Sequence, residues 1–192
     1  MDNYLAFDIE TTGPDPRVDS VTTAAVYGDG YAAVVEARDE SELLAVVGEV
    51  FAACPRATVV GWNSAVVDFP FLHTRMLAHG ITPFFTMALD TRIVPKYAPL
   101  PGYAGGYAVQ VLTDHGPVEH VDIAYRYRTW AEQNDVHWAL KDVARAAGLE
   151  MVEVDRQHME QLSVVERMAY NLSDVVGTYE LALLAERILP SG

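Results

Sequence analysis

A single cysteine, Cys54, excludes an intramolecular disulfide and any thiolate zinc cluster. Its place beside Pro55 predicts a thiol packed at the end of a helix. Lysine is almost as scarce: Lys96 and Lys141 are the only two, and 13 basic residues face 27 acids, for a net charge of −14. Such a surface repels polyanions at long range, which argues against a module that binds nucleic acid through a broad basic face. It leaves open an enzyme that meets phosphates through bound divalent cations, because those ions reverse the local field. The six histidines (His73, His79, His115, His120, His137, His158) contain no H-x-x-x-H pair, so no imidazole zinc site is indicated. No apolar run approaches the ~20 residues that span a bilayer, and the N-terminus lacks a basic flank and a cleavage-site pattern. A soluble cytoplasmic protein without a membrane partner is the expectation.

What is present is a chain of 192 residues, 51% apolar and 10% aromatic, enough for one domain, 1–192, with a substantial core. Its most unusual stretch is FDIETTG, Phe7 to Gly13. Strand alternation puts Tyr4, Ala6, Asp8 and Glu10 on one face and Leu5, Phe7 and Ile9 on the other, so two acids point the same way. At ~4 Å two carboxylates repel by about 1 kcal/mol in water and about 4 at an effective dielectric near 20. A shared proton, a basic partner or a metal ion would compensate, and no base precedes Arg17 in the sequence.

Further along, Val18–Gly28 and Tyr31–Ala37 flank Asp29-Gly30, a hairpin-type turn, and predict two strands antiparallel to the first. Apolar residues at helical spacing predict a helix from Glu40 to Cys54, stopped by Pro55. Thr58–Trp62 is a fourth strand. Asp68–His79 is a helix with Pro70 in its first turn and Gly80 after its end. The stretch from Thr82 to His120 is the least regular, rich in Pro, Gly and Tyr. Val118–Ala124 is a fifth strand. VHWALKDVARAAG and a long segment from Ser163 to Arg187, closed by Pro190, are helical. In the last helix Val165, Met168, Leu172, Val175, Val176, Tyr179 and Leu183 supply the packed stripe, and Tyr170 and Asp174 of YNLSD share a face one turn apart. Strands first and helices interleaved later predict an α/β layered domain.

FDIETTG, GWNSAVVDFPFLHTR (Gly61 to Arg75) and YNLSD (Tyr170 to Asp174) occur in that order across nearly the whole chain. Together they resemble the three motifs of the DEDD superfamily of 3′-to-5′ exonucleases, most closely the proofreading domains of family-B DNA polymerases. Tyr170, four before the last acid, marks the tyrosine type; the histidine type would carry its histidine where Ala169 stands. Trp62 and Val67 replace a usual Tyr and Phe.

The resemblance implies a ribonuclease H-like fold, here expected as a mixed five-stranded sheet with helices on both faces. It implies Asp8, Glu10, Asp68 and Asp174 as ligands of two divalent cations, Mg²⁺ or Mn²⁺, with Tyr170 orienting the attacking water. Paired hard cations suit oxygen ligands and phosphodiester hydrolysis. The implied reaction removes nucleoside 5′-monophosphates from the 3′ end of single-stranded DNA. Thr11, Thr12 and Asn63 fall where substrate contacts are expected.

Two rival readings stay open: an RNA-directed exonuclease of the same fold, and a module that binds nucleic acid without turnover. Since no polymerase domain fits beside the motifs, proofreading would call for a polymerase or repair partner protein. YRYRTW (Tyr125 to Trp130) reads either as a strand-stacking surface or as a helix with aromatics inward, the second being preferred. Pro95–Tyr107 reads as a loop near the cleft or an ordinary surface insertion.

Overall fold

In the computed structural model the described residues are 3–28, 30–95, 98–154 and 161–188. Asp29 of the expected turn, Lys96, Tyr97, His158 and Pro190 lie outside them. The alternation of β1 (Tyr4–Thr11) separates two cores. Leu5, Phe7 and Ile9 pack with Leu43, Val47 and Phe51 of α1 (Glu40–Ala53) and Phe69 and Leu72 of α2 (Asp68–Ala78). Tyr4 and Ala6 pack with Tyr127 of α3 (Ile123–Gln133), Val143 of α4 (Leu140–Ala146) and Leu181 of α5 (Val164–Ile188). Helices therefore cover both faces, and Asp8 and Glu10 fall on the α5 side.

The remaining strands are β2 (Val21–Gly28), β3 (Tyr31–Glu36), β4 (Thr58–Gly61), β5 (Phe85–Leu89), β6 (Tyr107–Thr113) and β7 (Gly116–Asp122). They form one sheet in the order β3-β2-β1-β4-β7-β6-β5, parallel at β1/β4 and β4/β7 and antiparallel elsewhere. The sheet has seven strands, not the five expected. The two unforeseen ones, β5 and β6, lie in the irregular stretch, where Pro, Gly and Tyr around them mask a period-2 pattern. Burial of Val109 and Val111 between exposed Ala108, Gln110 and Leu112 is that pattern.

Several boundaries also shift. The strand expected to reach Ala124 stops at Asp122, whose carboxylate accepts the Ala124 N–H and starts α3 at once. That helix contains YRYRTW, with Tyr127 buried and Arg126 and Arg128 exposed, as the second reading of the segment had it. Helix α4 begins only at Leu140. Of the expected α5 stripe, Val175 is fully buried and Leu172, Tyr179 and Leu183 pack against the second core, while Val165 is exposed; burial extends through Tyr170, Asp174, Thr178, Leu181 and Ala185. Cys54 caps α1 and is buried, which pushes its thiol up to about 12.

One divergence creates the site. Pairing of β1 with β4 runs from Tyr4↔Thr58 to Ala6↔Val60, after which β4 turns off towards α2 while β1 continues along β2 alone to a bulge at Glu10/Thr11. Two aspartates stitch the gap. Asp68 accepts the Ile9 N–H at 3.0 Å, a bond that β4 no longer supplies. Asp122, opposite Gly61, accepts the N–H groups of Asn63 (2.9 Å) and Ala65 (3.0 Å) and so fixes the β4–α2 turn, in which Asn63 takes a φ of +59°. A third tie, from Arg75 of α2 to Glu40 of α1 and to the Pro16 carbonyl, holds the β1–β2 loop against both helices.

Burial pushes the Asp122 carboxyl up from 3.8 to about 7 against its three N–H donors, and the Asp68 carboxylate adds to the rise. The folded value exceeds the unfolded one, so the associated stability is complete below 3.8 and is lost as pH climbs to about 7. Asp68, also raised by burial, adds to this fall, while His120, held at about 3 by burial instead of the ordinary 6.5, opposes it below 6.5. In metal-free protein the urea midpoint should fall between about pH 4 and 7, and Asp122→Asn should flatten this slope. At Gly28, with φ +140°, a Cβ would stand 2.3 Å from the Tyr4 carbonyl oxygen and 2.8 Å from the Tyr179 ring. Gly28→Ala should therefore cost about 1–3 kcal/mol, read as a lowered urea midpoint at unchanged slope.

Candidate active site

Helix α5 lies across β1 and β2 in a register fixed at three points. Tyr4 donates to Glu186 at 2.5 Å, Arg167 to Glu36 at 2.6 Å, and the Tyr27 and Tyr179 rings meet edge to face at 5.4 Å. This register sets Asp174 opposite Asp8 and Glu10. One oxygen from each of the three carboxylates lies within 4.8 Å of the others. Asn171, fully buried one position after Tyr170, donates its amide to Asp8 Oδ2 at 2.6 Å and orients that carboxylate.

The three acids open into a cleft of about 620 Å³ that is also lined by Thr11, Trp62, Asn63, Asp68 and Lys141. Asp68 sits outside the 4.8 Å group, turned onto the Ile9 N–H at the first position of α2, whose N-cap is Val67. Burial raises the Asp68 carboxyl well above the ordinary aspartate range. A nearby divalent cation would favour its charged form instead. Of the expected substrate contacts, Asn63 and Thr11 reach the cleft, and the Thr11 hydroxyl donates to the Gly13 carbonyl. Thr12 does not line it: its N–H bonds the Ser20 carbonyl, and its hydroxyl bonds Asp19 and accepts from the Ser20 N–H. Thr12 shapes the turn behind the acids.

Tyr170 is buried, one turn before Asp174. The Lys141 ammonium lies 3.8 Å from the centre of its ring, 3.3 Å from Asp174 Oδ1 and 2.5 Å from the Val152 carbonyl oxygen. Lys141, Asn171 and Asp122 were not picked out as site residues from the sequence. The available signals were a second lysine in a lysine-poor chain at a helix start, an amide on the Tyr170/Asp174 face, and an acid at the end of β7.

The donor set fits hard divalent cations. Three carboxylates face one ammonium, which leaves excess negative charge, and oxygen is the sole ligand type offered. A second cleft of about 590 Å³, at the opposite ends of β4 and β7, carries Arg56 and Glu119 but no cluster of acids. Among the described residues no helix is long and apolar enough to cross a membrane.

Comparison with known proteins follows the same line. No curated protein matches the sequence. Among solved structures, the family B DNA polymerase from the hyperthermophilic archaeon Pyrobaculum calidifontis is similar, with a TM-score of 0.67 and 25% identity, over 98% of this chain and 24% of that one. The chain thus spans about a quarter of the polymerase chain it matches. A family model for the RNase H superfamily matches residues 5–158, which include the acids of the first two motifs; Tyr170 and Asp174 lie beyond the match. The two findings agree with the motif resemblance to DEDD-type proofreading exonucleases and support nuclease chemistry on nucleic acid, in a superfamily whose nucleases use divalent metals. From the matched span and the shared fold, the chain belongs to the RNase H superfamily.

Proposed function

We propose that the protein is a metal-dependent 3′-to-5′ exonuclease that shortens single-stranded DNA by hydrolysing the terminal phosphodiester, releasing nucleoside 5′-monophosphates. The observation that carries this reading is the convergence of Asp8, Glu10 and Asp174, from a strand and a helix far apart in sequence, within 4.8 Å in one cleft. Asp8, Glu10 and Asp174 would hold one Mg²⁺ or Mn²⁺, and Asp8 with Asp68 a second. Bound there, such ions supply water activation and neutralise charge on the phosphoryl oxygens and the leaving alkoxide.

The chain's own groups do the rest. Asn171 fixes Asp8, so its second oxygen stays directed to the cleft. Lys141 provides a positive charge beside Asp174, in a cleft where acids outnumber bases. Tyr170 orients the attacking water. This is a positioning role before a proton-transfer role. Thr11 and Asn63 border the space for the terminal nucleotide. Free-standing repair or degradation, or service to a partner polymerase, would each employ this activity.

A 5′-labelled single strand incubated with Mn²⁺ should give a ladder shortened from its 3′ end, abolished by chelator; an RNA strand of the same sequence alongside decides the sugar. Asp8→Asn or Asp174→Asn should lower the rate by roughly a thousandfold or more, while Tyr170→Phe should cost less and retain Mn²⁺ binding. Wild-type turnover by Asp8→Asn protein would contradict the assignment.

A further inference from the structure

Two bases, Lys141 and Arg145, line the described cleft, against six acids: Asp8, Glu10, Asp68, Asp142, Glu153 and Asp174. Both bases project from α4, one turn or ~6 Å apart along its axis. Lys141 is the inner one, its side chain 11% exposed and engaged by Asp174 and the Val152 carbonyl. Arg145 stands at the mouth, 65% exposed. Four of the acids are the proposed cation ligands. The other two are held by Arg145, with Nη1 3.0 Å from Asp142 Oδ1 and Nη2 2.7 Å from Glu153 Oε1. Asp142 also meets His137 Nδ1 at 2.8 Å.

Glu153 reaches Arg145 from a strap that is anchored on both sides of the cleft. The Val152 carbonyl accepts from Lys141 of α4, and the Val152 N–H donates to Ser173 Oγ of α5 at 2.8 Å. Met151 lies against Gly177 so closely that a Cβ there would stand 2.7 Å from its terminal methyl. Glu153 is thus one residue past a fixed peptide, with its carboxylate directed across the mouth. A carboxylate on a guanidinium offers the oxygens that a backbone phosphate would offer in the same place.

Resting on the nuclease reading above, we infer that Glu153 is an internal stand-in for a substrate phosphate. It occupies Arg145 in the free protein and is displaced by the incoming strand, whose backbone phosphate next to the terminal nucleotide then takes the guanidinium. An exposed ion pair of this kind contributes little stability, so the exchange is easy. The device also limits binding: an anion reaches Arg145 only by out-competing Glu153, which favours a polyanion already held at its 3′ end.

The test is fluorescence anisotropy with a short 5′-fluorescein-labelled oligothymidylate and Ca²⁺, across a salt series. Arg145→Ala should bind about tenfold or more weakly. Its plot of log K against log salt should be shallower by ~0.7, the share of one single-strand phosphate contact. Arg145→Lys should keep the wild-type slope, which separates loss of charge from loss of fold. Glu153→Gln should bind several-fold tighter, and this gain should shrink in the Arg145→Ala background. A gain of equal size in both backgrounds, no gain, or a wild-type slope in Arg145→Ala overturns the inference. If the wild type binds this strand and cuts it with Mn²⁺ while Arg145 is indifferent, the inference alone falls. If it neither binds nor cuts, the nuclease reading falls and takes the inference with it.

Discussion

Mutual repulsion among Asp8, Glu10 and Asp174 is the constraint on which the rest of the structure turns. Three carboxylates within 4.8 Å cost free energy unless cations join them, and no single feature of the sheet would hold them there unaided. They are held because each is imposed by something stronger. Asp8 and Glu10 ride on a strand whose opposite face, Leu5, Phe7 and Ile9, is locked into the α1/α2 core. Asp174 rides on a helix whose stripe from Tyr170 to Ala185 is buried against the same sheet. Hydrophobic burial on both faces pays for an arrangement that electrostatics alone would disperse.

The cleft exists because a parallel pair of strands stops pairing. Once β4 leaves β1, backbone groups near Ile9 and in the Asn63–Ala65 turn need new acceptors, and buried ones left unmade are costly. Asp68, which lines the cleft, and the buried Asp122 meet that need. Asp68 therefore serves structure in the free protein, and under the proposed function it would also hold a cation from its place in the same cleft outside the tight group. Its hydrogen bond to β1 would then couple occupancy of the site to the geometry of the strand that carries Asp8 and Glu10.

Much of this was legible beforehand. Strand alternation alone put Asp8 and Glu10 on one face, and helical spacing alone stacked Tyr170 on Asp174. Motif order brought the two pairs together with Asp68. What stayed hidden depends on contacts between distant segments. Asp122 looks like any acid at a strand end until the β4–α2 turn folds onto it. Lys141 becomes part of the site only when α4 docks beside α5. Thr12, adjacent to the acids in sequence, is turned away by the bulge at Glu10/Thr11. The pattern of β6 was obscured by the Gly- and Pro-rich chain before it, since short strands carry weak periodicity.

A strongly acidic chain that acts on a polyanion has to confine its attraction to one place, and bound cations do so without a basic surface. The most direct test of that account is calorimetric titration of Mn²⁺ into metal-free protein. Saturable uptake of two ions per chain is expected, accompanied by a higher thermal midpoint, with uptake reduced in Asp8→Asn. Absence of saturable binding in the wild type, or unchanged binding in Asp8→Asn, would contradict it.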